Sequence, residues 1–173
     1  YCDFYSITKR DDSIPRFVDC LIKEINLYKQ LMKPKYEYDT IFFGGGTPSL
    51  LEPEHFELIL DTLHQNFNID ENSEISLECN PGEIDYTKLC AFRSMGLNRL
   101  SIGFQSFNNN LLKFLGHLHN VDQSIATFHD ARKAKIENIN IDLIYNIPKQ
   151  RLRDWKEDLY LVASLEPQHI SAY

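Results

Sequence analysis

Arg99-Leu100-Ser101-Ile102-Gly103-Phe104-Gln105 alternates strictly, with Leu100, Ile102 and Phe104 opposing Arg99, Ser101, Gly103 and Gln105. Side chains of a strand have a period of two, so this stretch predicts a strand with one apolar and one polar face. The pattern recurs on both sides of it. Ile75, Leu77 and Cys79 oppose Ser76, Glu78 and Asn80 upstream, and Ile139, Ile141 and Leu143 oppose Asn140 and Asp142 downstream. Strands are therefore expected over 74–80, 99–104 and 138–145. Two more strands are expected, over 40–43 and 169–173.

Helical spacing fills the intervals. Ile14, Phe17, Val18, Leu21, Ile22 and Ile25 follow an Asp11-Asp12-Ser13 start signal, and Phe56, Ile59, Leu60 and Leu63 share one face of a second helix. A third helix stops at Gly96, and further segments are expected around 111–115, 121–135 and 155–165. Five strands separated by helices imply right-handed crossovers and a parallel sheet, hence an α/β fold. Parallel strands buried on both faces read as continuous apolar runs, and these do not. If helices cover the apolar face, the polar one looks into a wet or liganded space, since an unpaired buried carboxylate is very costly. A barrel with a ligand-holding lumen fits this, and an open sheet with helices on both faces fits poorly. A sheet that shows one face to solvent is the alternative.

The 173 residues suit one domain, 1–173, and 43% hydrophobic residues suffice for a core. With 18 basic and 25 acidic residues, a net charge of −7 and no basic run, electrostatics gives nucleic acid no support as a partner. No apolar stretch is long enough to span a membrane, and no export leader is visible in a chain that starts without methionine. Cys2, Cys20, Cys79 and Cys90 are too scattered for a disulfide framework, so a reduced, cytoplasmic setting is expected. Cys20 and Cys90 fall on apolar helix faces and Cys79 on an apolar strand face, which predicts buried core thiols. Cys2 has no apolar periodicity around it.

In barrels of this kind, sites gather at the carboxyl ends of the strands. Gly45, Gly46 and Thr47 follow the first expected strand, Glu78 and Asn80 end the second, and Gln105 ends the third. Asp142 faces the same side within the fourth. Gly44-Gly45-Gly46-Thr47-Pro48 has no following lysine, so it is not a Walker loop. Its glycines allow backbone groups to approach a ligand closely, or else form a tight packing turn. Thr47, ahead of Pro48, adds a hydroxyl. Glu78 and Asp142 can accept from ribose hydroxyls or an ammonium group, and Gln105 can donate and accept. A buried network with Arg99 is the alternative role for these three. Phe104 and Tyr173 are expected to pack, and the six histidines to be solvated or to cap helices rather than bind metal.

Several segments together resemble the radical S-adenosylmethionine proteins of the oxygen-independent coproporphyrinogen III oxidase family. They are Tyr1-Cys2-Asp3-Phe4, Ile41-Phe42-Phe43-Gly44-Gly45-Gly46-Thr47-Pro48, Leu77-Glu78-Cys79-Asn80-Pro81-Gly82 and Asn98-Arg99-Leu100-Ser101-Ile102-Gly103-Phe104-Gln105-Ser106-Phe107. Asn140-Ile141-Asp142-Leu143-Ile144-Tyr145 and Pro167-Gln168-His169-Ile170-Ser171 complete the set. The resemblance implies a partial (βα)6 TIM-like barrel whose first strand and first two cluster cysteines lie upstream, with a further domain downstream. It implies that Cys2 is the third thiolate of a C-x-x-x-C-x-x-C loop holding a [4Fe–4S] cluster. It also implies that Gly45, Gly46, Thr47, Glu78, Gln105 and Asp142 contact S-adenosylmethionine, which one-electron reduction cleaves at its S–C bond. With Cys2 alone, these 173 residues are not expected to hold the cluster by themselves.

Two departures matter. Decarboxylating oxidases of the family carry a further cysteine two residues after the third cluster cysteine, where this chain has Phe4. The Cys-Asp-Phe form resembles the haem-chaperone branch. It implies haem as a ligand, a haem-recipient protein (a membrane-associated one included) and an electron donor, with no catalytic residue assigned. Oxidative decarboxylation of coproporphyrinogen III is the alternative. A basic residue that contacts the cofactor in the family aligns with His117, and that contact is not carried over.

Overall fold

The computed structural model describes residues 11–31 and 36–173. Its strands are β1 (Glu37–Phe43), β2 (Asn68–Cys79), β3 (Arg99–Gln105), β4 (Asn138–Leu143) and β5 (His169–Ala172). They form one sheet in the order β1-β2-β3-β4-β5, and every neighbouring pair is parallel. Each connection steps to the next strand in the same direction. Right-handed crossovers that all step one way place the helices on one face and roll the sheet toward a barrel. A doubly wound sheet needs a point where the strand order reverses, and here the order never does.

The helices are α1 (Ile14–Leu31), α2 (Pro53–Asn66), α3 (Tyr86–Ser94), α4 (Asn109–Leu115), α5 (Val121–Lys133) and α6 (Leu152–Ser164). Local chemistry sets their ends. Asp85, Asn108 and Asn120 cap α3, α4 and α5 by accepting from backbone N–H groups of the first turn. Gly96 and Gly116, both at positive φ, lie just beyond α3 and α4.

The core lies between the apolar sheet face and the helices. Leu77, Leu100, Ile102, Phe104, Ile139, Ile141 and Leu143 are all fully buried there, as the alternation predicts. Phe43, Phe56 and Phe92 link β1, α2 and α3, with successive ring centroids 4.6 and 4.5 Å apart. A smaller cluster of Val18, Ile25, Leu51 and Ile59 fastens α1 to α2. On the polar face Ser76, Ser101 and Asn140 are buried as well, at 1%, 8% and 2% exposure. The inward curvature shields them, so this face is not a flat one open to solvent.

Four expectations need correction. The strands over 40–43 and 74–80 begin earlier, at Glu37 and Asn68. The polar run Asp70-Glu71-Asn72-Ser73, ahead of the expected strand, bulges within β2, where the register jumps from Tyr38↔Ile69 to Thr40↔Glu74. Asn98 satisfies backbone there, donating to the Ser73 carbonyl at 2.8 Å and accepting from the Ile75 N–H at 2.8 Å. Cys20 is exposed, because it lies about 200° around α1 from buried Val18 at 100° per residue. Phe17 is also largely exposed.

Candidate functional site

The carboxyl ends of β1–β4 surround a cleft of about 430 Å³, and Gly45, Gly46, Thr47, Glu78, Gln105 and Asp142 all line it. Asn80, Ser101, Gly103 and Tyr173 complete much of the wall. Its volume falls in the range of small-molecule sites, roughly 300–1,000 Å³.

The loop after β1 is shaped by its glycines. A Cβ on Gly44 would stand 2.2 Å from the Phe42 ring and 3.2 Å from Glu78 Cδ. Gly45 holds φ at +112°, a conformation open to glycine at little cost. Its N–H donates to Glu78 Oε2 at 3.1 Å, which ties the loop to the end of β2. Among the described residues, nothing lies within 4 Å of a Cβ placed on Gly45 or Gly46, so the backbone faces the cleft uncovered by them. Thr47 ends the loop, and its carbonyl accepts from the Leu50 N–H at 3.1 Å to start a 3-10 turn over Pro48–Leu50.

Gln105 is presented by an unusual bend. It has φ +65°, and the Ser106 N–H donates back to the Phe104 carbonyl at 2.8 Å. An i to i+2 bond around a residue at positive φ is the strained form of the γ-turn. Asp158 of α6 holds this bend from within the core, accepting from Phe107 N–H at 2.6 Å and from Ser106 Oγ at 3.0 Å. Burial pushes the Asp158 carboxyl above its ordinary value, against the lowering effect of these donors. Gly103 lies beneath the bend, where a Cβ would stand 2.7 Å from Gln105 Nε2 and push that amide from its place.

Asp142 accepts from Ser101 Oγ at 3.0 Å and from Asn140 Nδ2 at 2.7 Å. A polar network therefore does hold Asp142, but Arg99 is not in it. Arg99 lies at the opposite end of β3, 3.6 Å from Glu74 and 3.3 Å from Ser76 Oγ. Alternation in the strands shows that these groups share a face; it does not show which of them touch. Asp158 carries no signal in the sequence, because it lies on α6 and reaches the site through the backbone of another element.

Phe104 is buried as expected, whereas Tyr173 is 68% exposed and lines the cleft. Tyr173 follows the last strand of the sheet. Its backbone is held by Leu143 and Tyr145, while its ring stays on the rim. His117 does not line the cleft. Burial and the neighbouring His119 lower its pKa to about 4, so near neutral pH it carries no charge to replace a basic residue. Cys79 is a core thiol, pushed up by burial, and Cys90 packs against the core from a partly buried position. Cys2 and Phe4 lie outside the described residues. Among the described residues, no cluster of three or more His, Cys, Asp or Glu could hold a metal ion, and no helix is long and apolar enough to cross a membrane.

Comparison with known proteins places this geometry. The heme chaperone HemW of Synechocystis is 36% identical over 182 residues, covering 100% of this chain and 43% of the relative. The oxygen-independent coproporphyrinogen III oxidase of the same organism is 30% identical over 167 residues, covering 96% of the chain and 36% of the relative. The structure of coproporphyrinogen III oxidase (HemN) from Escherichia coli, a radical SAM enzyme, superposes with a TM-score of 0.89. It is 30% identical, with 99% of this chain and 40% of that one covered. The chain thus spans less than half the length of each of these proteins. The partial α/β barrel expected from the alternating strands is the fold that this superposition shows. The Radical SAM superfamily pattern matches residues 1–162, and the chain belongs to that superfamily.

Proposed function

We propose that the chain is the cofactor-binding core of a HemW-type haem chaperone, which binds haem and delivers it to a recipient protein. Membership of the superfamily implies a [4Fe–4S] cluster and S-adenosylmethionine, which together supply one-electron cleavage of the S–C bond. In this reading Cys2 is one cluster thiolate. The bare backbone of Gly45 and Gly46, with the Thr47 hydroxyl, receives the amino-acid end of S-adenosylmethionine. Glu78 and Asp142 accept hydrogen bonds from its ammonium group and ribose hydroxyls, and Gln105 completes the wall. The donor set fits such a ligand, since carboxylates, amides and uncovered backbone line one cleft. The strained bend at Gln105 and the Gly45–Glu78 bond fix these groups before the ligand arrives, which lowers the cost of binding. An electron donor and a cytoplasmic location belong to the same reading, with a recipient that is free or membrane-associated.

The observation that carries the chaperone over the oxidase is Phe4, standing where the decarboxylating enzymes have a further cysteine. The higher identity to the chaperone than to the oxidase of one organism points the same way. The test is to incubate the full-length protein with haem and separate bound from free pigment. Retained haem in about one-to-one ratio is expected, and none retained contradicts the proposal. The second reading, a coproporphyrinogen III oxidase, is favoured by the 0.89 superposition on that enzyme. Anaerobic turnover of coproporphyrinogen III to protoporphyrinogen IX by the full-length protein would reverse the order.

A further inference from the structure

Asn140 sits on the inner wall of the sheet at 2% exposure, and every polar atom of its side chain is engaged. Its Nδ2 donates to Asp142 Oδ1 at 2.7 Å and to Ser101 Oγ at 2.7 Å. Its Oδ1 accepts from Ser171 Oγ at 3.1 Å and meets His169 Nδ1 at 2.6 Å. An amide oxygen only accepts, so the His169 proton belongs on Nδ1, and the amide can point only one way. Ser101, whose Oγ accepts from Asn140, donates its own hydrogen bond to Asp142 Oδ2 at 3.0 Å. The donors therefore run in one direction, from β5 through β4 and β3, and all end on the Asp142 carboxylate.

This arrangement does two things to Asp142. It occupies one acceptor position on each carboxylate oxygen, and it fixes the carboxylate plane by a closed ring through Ser101, Asn140 and Asp142. A carboxylate has about four such positions, so about two remain for a ligand, one on each oxygen. With the plane fixed, one free acceptor position on each oxygen suits a pair of adjacent hydroxyls, and the ordering cost that a freely turning carboxylate pays on binding is lowered.

We infer that Asn140 and Ser101 are positioning residues that orient Asp142 to receive the vicinal hydroxyls of a ribose. The inference deepens the proposed function and rests on its placement of S-adenosylmethionine in this cleft. The arrangement predicts that the pair matters for hydroxyl recognition and leaves the rest of the ligand's binding alone.

The experiment measures the affinity of the cluster-loaded full-length protein for S-adenosylhomocysteine and for its 2′,3′-dideoxy counterpart, with thermal melting as a check on folding. For Asn140→Leu and Ser101→Ala we expect about a tenfold loss for the hydroxylated probe, with the dideoxy probe bound as by the parent protein. Ser101→Ala carries the test alone if Asn140→Leu does not fold. A merely structural role weakens both probes equally, and that result overturns the inference. Asp142→Asn separates the two levels. If it abolishes discrimination between the probes while the Asn140 and Ser101 variants keep it, the positioning role is wrong and the cleft assignment stands. If Asp142→Asn keeps full discrimination, both are wrong.

Discussion

Two clefts of nearly equal size lie among the described residues, and they differ in chemistry. The cleft at the carboxyl ends of the strands measures about 430 Å³, and the one between α1 and the outer edge of β1 about 390 Å³. Leu21, Ile25, Tyr28, Ile41, Phe42 and Phe67 line the second, where Glu24 and Thr40 are the polar exceptions. The first combines uncovered backbone, two carboxylates and two amides, with Glu78 tied to the Gly45 N–H and Asp142 held by Ser101 and Asn140. Volume does not separate the two. Fixed polar groups from several elements, converging on one point, do.

The largest effect expected from this contrast is on cofactor affinity. Replacing Glu78 with Ala removes a charged acceptor and frees the Gly45 loop, and should weaken S-adenosylmethionine binding by about a hundredfold in a titration of the full-length protein. Tyr28→Ala in the edge cleft should change it less than twofold. Equal losses would erase the distinction between the clefts.

Acid pH tests the side of the polar cleft where His119 Nε2 meets the Phe104 carbonyl at 3.5 Å, one residue before Gln105. His117, beside it, takes its proton near pH 6.5 when unfolded and near 4 when folded. The unfolded chain thus binds more protons between these values, and stability should fall as pH drops from 6.5 toward 4, by about 2 kcal/mol at most from this group. Asp158 acts in the opposite sense, because its raised pKa favours the folded state as pH falls. His117→Gln isolates the histidine contribution: its melting temperature should fall less between pH 7 and 4.5 than that of the parent. An identical acid slope in both proteins contradicts the assignment.

A smaller effect sharpens the account of the Gln105 bend. Gly103→Ala places a methyl group 2.7 Å from Gln105 Nε2, the movable end of that side chain. The melting temperature should change little, while S-adenosylmethionine affinity drops by about tenfold. A large loss of stability with unchanged affinity would show that Gly103 serves packing instead. Smallest of all, Tyr28→Ser at the edge cleft, where the residue is 50% exposed, should alter stability by about 0.5 kcal/mol or less.

Much of this contrast is legible in the residues. Period-two alternation in β2, β3 and β4 identifies which side chains face inward, and their place near strand ends brings all six expected contacts to one cleft. The edge region is less legible. Phe17 and Cys20 carry helical spacing with apolar neighbours, but burial on α1 depends on which face meets α2, and only Val18 and Ile25 are buried there. The start of β2 is hidden because Asp70–Ser73 lacks strand chemistry and is kept in the sheet by a distant residue, Asn98. Partners within the polar face are hidden for a similar reason. Strand register decides that Ser101 lies beside Asn140 and that Asp142 lies beside Ser171, and register is a property of pairs of strands.

The most direct measurement is a crystal structure of the cluster-loaded full-length protein with S-adenosylmethionine bound. The ligand is expected over the Gly45–Thr47 backbone, with Glu78, Gln105 and Asp142 each within hydrogen-bonding distance. Electron density for it in the apolar edge cleft, or anywhere that leaves those three side chains untouched, would contradict the central claim.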